Sequence, residues 1–114
     1  MYNVRTGTGK PLVLVHGLGS SHRNWDPIVP ALAAHREVIA LDLPGFGQTP
    51  PLPEVSIASL TDALRTYLDD EGLSDADLVG SSMGARMVVE LGRRGHRGSM
   101  VALDPGGFWN DRQV

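Results

Sequence analysis

Five consecutive residues, Gly80-Ser81-Ser82-Met83-Gly84, match G-x-S-x-G with Ser82 at the centre. Ser81 does not fit, because its own flanking positions are not glycines. The chemistry that needs this spacing is nucleophilic attack by a serine held at a sharp strand-to-helix turn. Small residues two before and two after keep the turn free of clashes while the serine hydroxyl stands at its apex. The pattern alone is a weak signal in a chain with 14 glycines, so its context decides. An apolar run precedes Ser82 and an amphipathic pattern follows, which is the strand–turn–helix setting the motif requires. The alternative reading is a serine that merely caps a helix in a βα turn.

A serine nucleophile needs a base, and the chain offers four histidines. His96 closes the helical pattern that begins beside Ser82. At a rise of about 1.5 Å per residue it lies roughly 20 Å from that serine. His35 ends the first helical pattern and also falls at the far end of the sheet. His22 sits in the loop after the first strong strand, where nothing in the neighbouring sequence would orient it as a base. His16 stands directly after that strand, in His16-Gly17-Leu18-Gly19-Ser20. Competing motifs fail. Gly17-Leu18-Gly19 continues to His22 where a dinucleotide fingerprint needs glycine, and Gly9-Lys10 lacks the upstream glycine of a P-loop. No His, Asp or Glu cluster has metal-ligand spacing, and the absence of cysteine excludes thiolate sites and a cysteine nucleophile. The sequence therefore calls for no cofactor and no metal.

These residues must be placed by the elements around them. Short apolar runs at 11–15 (PLVLV), 37–43 (EVIALDL), 77–81 (DLVGS) and 99–103 (SMVAL) read as strands, and 2–6 as a weaker one. Runs without polar alternation suit a parallel sheet covered on both faces. Between them, Trp25, Ile28, Val29 and Leu32 repeat at helical spacing, with Pro27 in the first turn. Ile57, Leu60, Leu64, Tyr67 and Leu68 form a second stripe, started by Ser56 and stopped by Gly72. Gly84, Met87, Val88 and Leu91 form a third, ending before Gly95. The segment 48–55, with Pro50, Pro51 and Pro53, is irregular. Alternating strands and helices predict a doubly wound, mostly parallel α/β sheet with its functional loops at the carboxyl ends of the strands.

Composition narrows the class. The chain has 114 residues, 41% hydrophobic and 20% charged, which suits one globular domain or part of one. A net charge of −3 argues against nucleic acid or an anionic membrane as the main partner. The polar, glycine-rich residues 1–10 lack a signal-peptide core, and no apolar run is long enough to span a bilayer. The expectation is a soluble, cytoplasmic protein.

Taken together, HGLGSS at 16–21, Trp25, DLPGFGQT at 42–49, LVGSSMG at 78–84 and LDPGGFW at 103–109 resemble the α/β-hydrolase family over nearly the whole chain. The resemblance implies that Ser82 is the nucleophile and that the backbone N–H groups of Leu18 and Met83 form the oxyanion hole. It implies that His16 holds its loop rather than acting in catalysis, and that Asp42 is a turn residue. Some members place their acid where Asp104 stands; the other readings of Asp104 are a cap on the 105–107 turn or a partner for Arg86. The family order is serine, acid, then a histidine after the last strand, and this sequence stops first. Residues 1–114 therefore read as a partial, truncated α/β-hydrolase domain without the C-terminal strands, the cap or the catalytic histidine.

The implied activity is hydrolysis of carboxylic esters or related carbonyl compounds, with a small ester-like molecule as substrate. Dehalogenases of this family carry an aspartate in place of the elbow serine, which disfavours that branch. Two other readings stand: a catalytically silent fragment, or a binding or assembly module that keeps the sheet. The strand at 99–103 would form an open sheet edge, inviting self-association.

Overall fold

The computed structural model describes residues 1–104; the 105–109 part of the LDPGGFW motif, and any turn there capped by Asp104, lie outside the described residues. Five strands form one sheet: β1 (Asn3–Thr6), β2 (Pro11–Val15), β3 (Glu37–Leu41), β4 (Asp77–Ser81) and β5 (Met100–Leu103). Their order is β1-β3-β2-β4-β5. β1 runs antiparallel to β3, and the other pairings are parallel.

Side chains alternate across the sheet because successive Cβ atoms point to opposite faces. Val13, Val15, Ile39, Leu41 and Leu78 face one side, where they pack with Leu60, Leu64 and Leu68 of α2 (Ile57–Asp70) and Met87, Val88 and Leu91 of α3 (Met83–Arg93). Leu12, Leu14, Val38 and Ala40 face the other side and pack with Trp25 and with Val29 and Leu32 of α1 (Val29–Ala33). The expected doubly wound, mostly parallel sheet is the observed one.

The order of the strands fixes where a site can form. From central β2 the chain crosses one face through α1 to β3, then returns over the other face through α2 to β4, on the opposite flank of β2. After β2 and after β4 the connections therefore leave toward opposite faces, which opens a crevice at the carboxyl ends of these two strands.

Three local expectations change. The single helix expected from Trp25 is split into a 3₁₀ turn, His22–Trp25, and the short α1. Pro30 sits in the first turn of α1, where its missing N–H is harmless; inside a helix begun at Trp25 it would clash with the preceding turn. β3 ends at Leu41 rather than 43, because the Leu43 N–H donates to the His16 ring (2.9 Å) and leaves the ladder. The last strand begins at Met100, one residue later than expected. The helix starts and stops otherwise follow the sequence. Ser56 and Ser59 form a reciprocal cap on α2, and Gly72 closes it with φ +70°. Among the described residues no helix is long and apolar enough to cross a membrane.

Candidate active site

Ser82 follows β4 directly and precedes the first residue of α3. Its backbone has φ 57° and ψ −118°, in the left-handed half of the map. For a residue other than glycine that costs about 1–3 kcal/mol and persists only when the surroundings enforce it. The enforcing contacts are visible at the two glycines. A Cβ on Gly80 would overlap the Gly84 carbonyl, and one on Gly84 would overlap the carbonyl oxygens of Val15 and His16. The turn is thus pressed against its own helix and against the end of β2. Ser82 sits at the N-cap position of α3, yet its side chain makes no capping hydrogen bond. The residue is exposed, so the hydroxyl is presented rather than used to cap the helix.

The segment after β2 lies against the same point. A Cβ on Gly17 would stand 2.9 Å from the Ser82 Cβ and 3.4 Å from its Oγ. The backbone N–H groups of Leu18 and Met83 have no hydrogen-bond acceptor among the described residues. Met83 opens an eleven-residue helix, where the unpaired N–H groups and the helix dipole favour negative charge.

His16 is buried and both ring nitrogens are engaged: Nδ1 donates to the Gly17 carbonyl (2.7 Å) and Nε2 accepts from Leu43 N–H (2.9 Å). Its ring also meets Phe46 edge-on at 5.6 Å. Burial lowers its pKa, against the opposing pull of the Gly17 carbonyl and Asp42, so the neutral ring is the stable one. Replacing His16 by Ala strands the buried Leu43 N–H and is expected to cost about 2–3 kcal/mol, measurable by urea denaturation. The pH dependence follows from the sign of the shift. The folded pKa lies below the ordinary 6.5, so the unfolded chain takes the proton first. Stability is full above that value and is lost as pH falls below it, and His16→Gln should flatten this part of the profile.

The other histidines are also accounted for. The His35 carbonyl lies against the Gly9 turn that precedes β2. His96 donates from Nε2 to the Ala76 carbonyl just before β4 (2.7 Å) and faces Arg65 at Nδ1 (3.1 Å). Both are at the amino ends of the strands, opposite Ser82. His22 corrects the expectation that nothing orients it. Its Nδ1 donates to Asp42 Oδ1 at 2.8 Å, and its own backbone N–H donates to the same oxygen at 2.7 Å. Tyr2 covers the ring at 5.4 Å, which places it over β3 and β1, the flank away from β4. Among the described residues no histidine hydrogen-bonds to Ser82.

Asp42 is fully buried and is more than a turn residue. Gln48 N–H donates to its second carboxylate oxygen at 2.9 Å. Burial by itself would raise its pKa, but the N–H groups of His22 and Gln48 and the His22 ring together hold it below the usual carboxylate value. The signal in the sequence was the Asp42–Gly47 spacing, since a Cβ on Gly47 would overlap the carboxylate.

Asp104 lies beside Ser82 across the β4–β5 pair, where Ser81 is opposite Leu103 and the Ser82 N–H donates to the Leu103 carbonyl (2.9 Å). It is exposed, has φ 49°, and among the described residues makes no hydrogen bond to a histidine. The expected Asp104–Arg86 ion pair is not formed. Arg86 is exposed one turn into α3 and no strand holds it toward the end of β5. Among the described residues no three acidic or histidine side chains gather as a metal site.

A mostly parallel sheet with a strained serine at the end of a central strand, beside a glycine-rich turn from the next strand, has the architecture of an α/β hydrolase. The chain belongs to the alpha/beta hydrolase family, whose model matches residues 12–113. It is 52% identical over 85 residues to a pimeloyl-[acyl-carrier protein] methyl ester esterase of Legionella pneumophila (strain Paris), covering 75% of this chain and 33% of that protein. It is 47% identical over 84 residues to the dihydrolipoyllysine-residue acetyltransferase component of an acetoin cleaving system of Pseudomonas putida, covering 73% of this chain and 23% of that protein. Among solved structures, a meta-cleavage product hydrolase from Pseudomonas fluorescens IP01 superposes with a TM-score of 0.80 at 31% identity, covering 88% of this chain and 39% of that one. The chain thus spans between 23% and 39% of the length of these three proteins.

Proposed function

We propose that Ser82 is the nucleophile of a serine hydrolase acting on carboxylic esters or related carbonyl compounds, with the N–H groups of Leu18 and Met83 as its oxyanion hole. One observation carries the reading: Ser82 is held in a strained backbone conformation with its side chain exposed and excluded from capping α3. Strain of this kind persists where it aims a group. Attack by Oγ on the substrate carbonyl carbon forms a C–O bond and moves the carbonyl π pair onto oxygen. Collapse of this tetrahedral oxyanion expels the substrate's alcohol, which takes up a proton, and leaves the acyl group as an ester on Ser82. Two N–H donors preorganised at that oxygen stabilise it without reorganisation, and losing one such donor costs about 3 kcal/mol in other enzymes. The hydroxyl proton must pass to a base. No histidine of this chain is placed to take it, so the base is supplied from outside these 114 residues. Asp104, which follows Leu103 opposite the Ser81–Ser82 step, is the acid of the arrangement in this reading. The partial-domain reading of residues 1–114 belongs to the same proposal, and it is favoured by the 33% share of the esterase that the chain spans. A cytoplasmic location is part of it too.

The test is covalent labelling with a fluorophosphonate, which mimics the tetrahedral state; an adduct on Ser82 that is absent in Ser82→Ala supports the reading. Val101 and Leu103 of edge strand β5 are 49% and 46% exposed, which favours pairing of two copies along β5. Sedimentation should give a mass above that of the monomer, and Val101→Lys should restore the monomer.

A further inference from the structure

The residue that carries one of the two proposed oxyanion donors, Leu18, sits in a segment with little internal support. It is 74% exposed, and a Cβ at the next residue, Gly19, would meet nothing within 4 Å. A single backbone hydrogen bond, Ser20 N–H to the Gly17 carbonyl (3.2 Å), closes the turn. Its position is therefore set at its two ends. The front end is His16, tied to Leu43 N–H. The rear end is His22, tied twice to one oxygen of Asp42. Both ties land on adjacent residues at the end of β3, and Gln48 N–H fixes the Asp42 carboxylate from the other side.

We propose that His22 and Asp42 are positioning residues that hold the Leu18 N–H at Ser82, through the rear anchor of the 16–22 segment. The inference rests on the reading of Ser82 as nucleophile. Asp42 Oδ1 accepts from both the backbone N–H and the ring Nδ1 of His22, which pins the start of the 3₁₀ turn as well as its first side chain. The donor atom lies three bonds from Cα. Asparagine places an amide nitrogen at the same reach, whereas alanine offers none. The acceptor also selects the ring's tautomer: the carboxylate oxygen at 2.8 Å requires the proton on Nδ1.

The experiment uses the 114-residue chain, isotopically labelled, as wild type, His22→Ala and His22→Asn. Wild type should show the Nδ1–H tautomer of His22 in its ring nitrogen shifts. The Leu18 amide order parameter should be near about 0.85 in wild type, fall below about 0.6 in His22→Ala, and recover in His22→Asn. Phosphonylation of Ser82 should slow about 10- to 100-fold in His22→Ala and recover in His22→Asn, the cost of a displaced donor. An Nε2–H tautomer in wild type, unchanged Leu18 order in His22→Ala, or no recovery in His22→Asn overturns the inference. Should His22→Ala fail to fold, the tautomer and His22→Asn still decide it. If wild-type Ser82 is never labelled while Leu18 order responds as stated, the reading of Ser82 fails and the positioning stands.

Discussion

Gly84→Val should yield no folded protein, and Gly84→Ala should be severely destabilised. A Cβ at Gly84 overlaps the carbonyl oxygens of Val15 and His16, backbone atoms at the end of the central strand. Neither can yield, because β2 is hydrogen-bonded to β3 on one side and β4 on the other. Relief requires lifting α3 off the sheet, and with it Met87, Val88 and Leu91 out of the core. Overpacking at flexible positions costs about 1–3 kcal/mol. Against an immovable backbone the alanine cost should reach the upper end of that range, and valine should exceed the stability of a domain this size, about 5–15 kcal/mol. Gly92→Ala is the control. Its added Cβ meets only the flexible end of Met100, so the better helix propensity of alanine should leave the protein as stable or more so. Thermal melts followed by circular dichroism distinguish the two sites.

The second large effect is on rate. Incubated with an activated aryl ester, the 114-residue chain should turn over only at a trace level. Serine at its ordinary pKa is a weak nucleophile, and His16, His22, His35 and His96 are each engaged or placed away from Ser82. Enzymes that lose a triad member keep about 10³–10⁴-fold over water through binding and the oxyanion hole. The expected ceiling lies there, and Ser82→Ala should remove the serine-dependent part. Full turnover by wild type would mean that a base acts within this chain, with His22 the first to examine.

Much of this site was legible because its constraints are local. The G-x-S-x-G spacing works through contacts between Gly80 and Gly84, and from Gly84 to the neighbouring strand, so the turn announces itself in five residues. The strands were legible as unbroken apolar runs, and α2 and α3 as stripes closed by Gly72 and Gly95. What escaped was set at long range. The end of β3 depends on a histidine 27 positions earlier that captures the Leu43 N–H. The role of His22 depends on Asp42, 20 positions later, and only the folded β2–β3 pair brings them together. The split of the first helix was locally encoded, in Pro30, but the apolar spacing from Trp25 to Leu32 masked it. The Arg86–Asp104 pair was inferred from neighbouring elements alone, and geometry did not supply it.

The central claim is that the fold singles out Ser82 among the serines of this chain. Prolonged incubation with a fluorophosphonate, followed by peptide mass spectrometry, compares them within one molecule, so even slow chemistry gives a clear answer. The account predicts a single dominant adduct on Ser82, lost in Ser82→Ala without labelling appearing elsewhere. Adducts spread over other exposed serines such as Ser56 and Ser74, with Ser82 no more reactive than they are, would contradict it.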